Sequence, residues 1–174
     1  MTDSPKINIL LVDDRPENLL ALEAILESPE LNLIKASSGN EALGSLLDQE
    51  MAVVLLDVQM PGMDGFETAA LMRGSERTKH IPIIFVTAIN KEQTSVFKGY
   101  ESGAVDYLFK PLDPNILASK VKVFVELFRQ RDAAERAKED AERSLRDAIK
   151  HAKELARNAE AANAAKSEFL ANMS

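Results

Sequence analysis

Two short apolar runs, Ile7–Val12 and Ala52–Leu56, both end on carboxylates: Asp13-Asp14 after the first and Asp57 after the second. Runs of this length suit strands better than buried helices. Ala52–Leu56 and Ile83–Val86 are apolar without alternation, the pattern of strands covered on both faces. Further strand patterns fall at Leu31–Ala36 and Val105–Phe109, and helical patterns at Pro16–Glu27, Asn40–Glu50, Phe66–Arg73 and Gln93–Glu101. Strands interleaved with helices in this way predict an α/β fold with a doubly wound parallel sheet. Ligands of such sheets bind in the crevice outside the carboxyl ends of the strands. The two acidic run ends are therefore expected to meet there.

Pro16 suits a first helical turn. Leu19, Leu22, Ala24, Ile25 and Leu26 supply that helix with an apolar face. The regime changes at Asp113-Pro114, an N-cap followed by an N1 proline. From Asn115 to Ser174 there is neither glycine nor proline. One helix over that span would be roughly 90 Å long at about 1.5 Å per residue, so most of it should project from the domain. Its first turns, with Ile116, Leu117, Val121, Phe124, Val125 and Phe128, are apolar enough to finish packing the sheet.

A heptad follows, with d at Leu127, Ala134, Ala141, Ala148, Leu155, Ala162 and Phe169. The a positions are Phe124, Arg131, Lys138, Leu145, Ala152, Ala159, Lys166 and Met173. The repeat predicts a coiled coil, most simply a parallel homodimer, with charged a positions that weaken the seam while restricting its register. A solvated single helix is the alternative. Glu139–Arg143 and Glu142–Arg146 should support the helix at i,i+4 spacing.

Charge divides along the same line. Residues 1–115 hold 9 Lys and Arg against 18 Asp and Glu, and the remainder 12 against 10. An acidic domain argues against nonspecific nucleic-acid binding, which runs on basic patches. The absence of cysteine excludes disulfides and thiolate metal sites. With no signal-peptide core and no apolar stretch of roughly 20 residues, the chain is expected to be soluble and cytoplasmic.

Taken singly, the polar run ends have ordinary explanations. Asp14 could cap the helix that opens at Pro16, Thr87 could be a turn residue, and Lys110 a solvated loop charge. Together they form the set that phosphoryl transfer requires. Asp57 would be the nucleophile, forming an acyl phosphate. Asp13 and Asp14 could hold Mg²⁺ beside it. The cation and Lys110 would stabilise the equatorial oxygens, and Thr87 could hydrogen-bond the transferred group.

Leu-Val-Asp13-Asp14, Leu-Leu-Asp57-Val-Gln-Met60-Pro61-Gly62-Met63-Asp64-Gly65, Val86-Thr87-Ala88 and Asp106-Tyr107-Leu-Phe-Lys110-Pro111 together resemble a response-regulator receiver domain. The resemblance covers about residues 6–128. It implies a flavodoxin-like five-stranded parallel sheet with helices on both faces, and Asp57 as phosphoacceptor. Asp14, Asp57 and the Gln59 carbonyl would contact Mg²⁺ directly, with Asp13 acting mainly through water. Lys110 would pair with the phosphoryl group, and its bond to Pro111 would be cis, an isomer that X-Pro bonds adopt at little cost. Thr87 and Tyr107 would form the switch, rearranging the face built by 93–101, 105–109 and 114–128. Tyr107 could equally be a half-exposed strand aromatic. Asp64 and Gly65 are read as shaping the loop, and His80 and His151 as surface residues.

Lys166-Ser167-Glu168-Phe169-Leu170-Ala171-Asn172-Met173-Ser174 resembles the opening of the dimerisation and phosphoacceptor helix of a sensor histidine kinase. The expected organisation is a receiver domain (1–128), a coiled-coil signalling helix (129–165), and the truncated start of a kinase helix (166–174). The resemblance implies a part of a hybrid kinase, with a histidine kinase or phosphotransfer protein as phosphodonor. A free-standing response regulator whose coil is its output is the alternative. An aspartate-nucleophile phosphatase fits less well, because those families resemble one another in having a second Asp where Gln59 stands.

Overall fold

The computed structural model describes residues 4–88 and 106–173. Five strands, β1 (Ile7–Val12), β2 (Leu31–Ala36), β3 (Val53–Asp57), β4 (Ile83–Thr87) and β5 (Asp106–Phe109), form one sheet in the order β2-β1-β3-β4-β5. All four pairings are parallel. Between the strands lie α1 (Pro16–Leu26), α2 (Gly39–Asp48) and α3 (Gly65–Arg73), and a C-terminal helix runs over Pro114–Asn172. The predicted helix at 93–101, and Val105 at the start of the last predicted strand, lie outside the described residues.

The strands sort their side chains by parity into two cores. Ile9, Leu11, Val53, Leu55, Ile84 and Val86 face α1 and the C-terminal helix, packing on Leu19, Leu22, Leu26, Leu117, Val121 and Val125. Leu10, Val12, Val54, Leu56, Ile83 and Phe85 face α2 and α3, meeting Ala42, Leu46, Ala69 and Met72. Burial on both faces explains why β3 and β4 carry no polar alternation. Two expected core residues are exposed: Ala24 on α1, and Ile116, which is 50% accessible on the C-terminal helix. Leu117, Val121 and Val125 take the inward stripe, and Phe124 and Phe128 are half-buried beside it.

Local caps hold the helix starts in place. Ser38 accepts the Glu41 N–H at 3.1 Å, while the Glu41 carboxylate accepts from the Ser37 N–H and hydroxyl. Those bonds hold Glu41 below the usual carboxylate range. Asp64 accepts the Glu67 N–H at 2.8 Å at the start of α3. Asp113 accepts from the N–H groups of Asn115 and Ile116 at 2.8 and 3.2 Å. Each satisfies donors that a helix N-terminus leaves orphaned.

The chain divides into two compact units, Met1–Phe128 and Arg129–Ser174. In the second, every side chain from Ala133 to Met173 is exposed. Arg143 bridges Asp140 at 3.6 Å rather than Glu139, and further pairs join Arg131 to Glu135 and Arg136 to Asp132. Such exposed helix pairs contribute only a few tenths of a kcal/mol each. Among the described residues, no helix is long and apolar enough to cross a membrane.

Candidate functional site

The site follows from sheet register. Val12 lies opposite Leu56, so the next residues, Asp13 and Asp57, emerge side by side where β1 and β3 end. Asp57 pairs with Val86 and Thr87 with Phe109, which brings β4 and β5 to the same edge. The Lys110 N–H donates to the Thr87 carbonyl at 2.9 Å, continuing that pairing to the start of the next loop. The direction in which successive strands are added reverses between β1 and β3, the place where open α/β sheets bind ligands.

Asp13, Asp14 and Asp57 each bring a carboxylate oxygen into a group whose members all lie within 4.8 Å of one another. Three oxygen donors with no nitrogen or sulfur suit a hard divalent cation, so the residues present fit the ion that the sequence implies. The crevice above them has a volume of about 440 Å³, and Arg15, Asn18, Gln59, Ala88 and Lys110 complete its lining. The Lys110 ammonium lies 3.5 Å from Asp13 and 3.8 Å from Asp57. The Lys110–Pro111 peptide is cis.

The carboxylates have different surroundings. Asp13 is buried and accepts the Arg15 N–H at 2.9 Å and the Asn18 amide on both oxygens, at 3.3 and 3.1 Å. Asp14 does not cap α1. Arg15 occupies the N-cap position without a side-chain bond, because the turn into Pro16 directs its N–H onto Asp13 instead. Asp57 is only 5% exposed and accepts the Gln59 N–H at 3.3 Å. Burial, reinforced by the charge of Asp13, pushes its carboxyl up to about 6; Lys110 and the Gln59 N–H oppose this rise, and Asp14 adds a small further push. Two like charges close together in a poorly solvated cleft cannot both ionise freely. A cation there would remove that penalty.

Thr87 is fully buried at the end of β4. Tyr107 is half-buried on β5, its ring 5.4 Å from that of Phe85, which in turn lies 5.0 Å from Phe66. Burial raises the Tyr107 phenol. His80 and His151 are exposed.

The loop after β3 explains its own sequence. Gly62 sits at φ 74°, the left-handed region, directly after Pro61. Gly65 opens α3 against the end of the strand that carries Asp57: a Cβ there would lie 2.3 Å from the Asp57 carbonyl oxygen. Sequence reasoning missed two contributions. Asn18, which the pattern places only within the first helix, donates to both oxygens of Asp13; its position in the first turn after the acidic pair is the available signal. Gly65, expected only to shape the loop, also packs directly against the Asp57 backbone, a contact that no local pattern signals.

Residues 9–122 match the response regulator receiver domain family. The chain belongs to that family. Over 134 residues it is 37% identical to the response regulator PleD of Caulobacter vibrioides, a match spanning 74% of this chain but 29% of that protein. It is 35% identical over 113 residues to the protein PilH of Pseudomonas aeruginosa, covering 65% of this chain and 93% of PilH. Among solved structures, the signal receiver domain of a signal transduction histidine kinase from Syntrophus aciditrophicus superposes with a TM-score of 0.62 at 31% identity. That match covers 68% of this chain and 89% of the other. The first compact unit is thus a receiver domain of two-component signalling.

Proposed function

We propose that this receiver accepts a phosphoryl group on Asp57 in a Mg²⁺-dependent reaction. The observation that carries the reading is the meeting of Asp13, Asp14 and Asp57 within 4.8 Å, with Lys110 beside them. An Asp57 carboxylate oxygen forms a bond to phosphorus as the bond from phosphorus to the donor's leaving group breaks, and the electron pair departs with that group. Bound Mg²⁺ supplies charge neutralisation that lets an anionic carboxylate approach an anionic donor. Asp14, Asp57 and the Gln59 carbonyl would hold it, with Asp13 acting through water. Lys110 stabilises the transferring oxygens, and Thr87 hydrogen-bonds the group once it is attached. Tyr107 then responds through its contact with the Phe85 ring.

The acyl phosphate carries about −1.5 to −2 charge in place of the carboxylate's single negative charge. We read the C-terminal helix as carrying that change to a dimeric coil over 129–165, and residues 166–174 as the start of a histidine-kinase dimerisation helix. Leu145, Ile149, Leu155, Phe169, Leu170 and Met173 are 47% to 69% exposed, and all fall at a, d or e of the heptad. An apolar stripe of that kind supports pairing with a second, parallel copy. The phosphodonor would be a histidine kinase or phosphotransfer protein. The kinase source of the Syntrophus receiver and the kinase-like motif at 166–174 favour the hybrid reading over a free-standing regulator.

Incubation with a small acyl phosphate and Mg²⁺, followed by intact mass measurement, tests the central claim. The expected result is a single added phosphoryl group that is lost in Asp57→Asn and absent when the cation is chelated. Undiminished labelling of Asp57→Asn refutes the assignment.

A further inference from the structure

A carboxylate offers about four lone-pair sites to donors. On Asp13 three are taken: Oδ1 accepts the Arg15 N–H at 2.9 Å and the Asn18 amide at 3.3 Å, and Oδ2 accepts that amide at 3.1 Å, with the Lys110 ammonium 3.5 Å away as an ion pair, which leaves one site for a cation-bound water. Among the described residues, Asp14's carboxylate accepts no hydrogen bond. Asp57 has the Gln59 N–H at 3.3 Å and Lys110 at 3.8 Å, which leaves room for a cation.

We propose that Asn18 is a positioning residue that holds Asp13 out of direct contact with the cation and so sets the site's preference for Mg²⁺ over Ca²⁺. The inference rests on the reading of this crevice as a divalent-cation site. Its basis is the difference between the two ions. Mg²⁺ keeps several waters and needs one or two carboxylates, whereas Ca²⁺ takes six to eight oxygens and welcomes additional, bidentate carboxylates. With Asp13 tied back, Asp14 and Asp57 remain as the direct carboxylate ligands, a donor set too sparse for Ca²⁺. The tether is also rigid. Asn18 stands in the first turn of α1, whose entry is set by Pro16, and the Asn18 N–H donates to the Arg15 carbonyl at 3.1 Å. Removing the amide opens one lone pair on each Asp13 oxygen and turns Asp13 into a third direct ligand. Mutating an outer-shell partner of a metal site commonly costs about 10- to 100-fold in affinity, so effects of that size fall well within calorimetric reach; the gain expected here for Ca²⁺ comes from the added carboxylate ligand.

The experiment titrates the full chain with MgCl₂ and with CaCl₂ by isothermal calorimetry, comparing the unsubstituted protein with Asn18→Leu and Asn18→Ala. Leu keeps the side-chain volume and Ala relaxes it, and circular dichroism identifies whichever variant is folded. The unsubstituted chain should bind Mg²⁺ more tightly than Ca²⁺. In the variants the ratio of the Ca²⁺ to the Mg²⁺ Kd should fall by about tenfold or more, chiefly through tighter Ca²⁺ binding. An unchanged ratio, with both affinities moving together or not at all, overturns the proposal and assigns Asn18 a merely structural role. No saturable Mg²⁺ binding by the unsubstituted chain overturns the cation site itself.

Discussion

Replacing Asp57 with Asn should stabilise the cation-free protein at neutral pH, although it removes the proposed phosphoacceptor. Burial and Asp13 raise the folded carboxyl from the ordinary 3.8 to about 6. A group that holds its proton more tightly when folded favours the folded state at low pH, and the advantage is lost as pH rises through the folded value. At about 1.4 kcal/mol per pH unit, the ionised side chain costs the folded state about 3 kcal/mol at pH 7.5 relative to the low-pH limit. By the same linkage the cost shrinks to about 1 kcal/mol at pH 4.5. Asn is neutral throughout and keeps an oxygen for the Gln59 N–H. Urea unfolding in chelator should therefore show Asp57→Asn more stable by about 2 to 3 kcal/mol at pH 7.5 and by about 1 at pH 4.5. Mg²⁺ at about 100 times its Kd should return roughly 2.7 kcal/mol to the unsubstituted chain and much less to the variant. A variant less stable at pH 7.5, or an increment independent of pH, would refute the argument that the apo site is electrostatically strained.

Other outcomes can be checked independently. The apparent Mg²⁺ affinity should fall as pH drops below about 6, approaching tenfold per pH unit, because proton and cation compete for Asp57; a flat calorimetric profile between pH 5 and 7 counts against direct ligation by Asp57. Gly65→Ala forces a Cβ to within 2.3 Å of the Asp57 carbonyl and should cost about 1 to 3 kcal/mol in urea unfolding. Gly44→Ala, on the exposed side of α2 with no atom within 4 Å of the new methyl, should instead stabilise by about 0.5 to 1 kcal/mol. Leu145→Asp with Leu155→Asp should abolish dimerisation by sedimentation. Each leucine layer buries two side chains at about 1.5 kcal/mol apiece, so losing both layers costs about 6 kcal/mol and the Kd should rise on the order of 10⁴-fold. Equal dimer mass in the variant would move the interface off the helix.

Hydrophobic patterning made most of the fold legible. β1 and β2 end where the pattern ends them, while β3 and β4 each extend one residue further, onto Asp57 and Thr87 themselves. Burial on two faces leaves its mark on composition, so the central strands could be read directly. Helix ends were less certain: α2 starts at Gly39 and stops at Asp48, because Ser38 and Glu41 cap its start and Gln49 is already extended. The exposure of Ile116 and Ala24 was not readable, since the helical patterns spread apolar residues more widely than the faces that meet the sheet.

At the site the same division holds. Which residue types end the strands is a property of the chain, and carboxylates, hydroxyl and ammonium were all identifiable as candidates from their positions after apolar runs. That Asp13 and Asp57, forty-four positions apart in sequence, stand side by side depends on β1 pairing with β3 in one particular register. Only the folded turn into α1 decided that Asp13 takes the Arg15 and Asn18 donors while Asp14 accepts no hydrogen bond among the described residues, so the alternative of Asp14 as a helix cap is not taken. Periodicity records which side of an element is dry. Hydrogen-bond directions depend on angles between elements that no local pattern encodes, and those angles differentiate three chemically identical carboxylates.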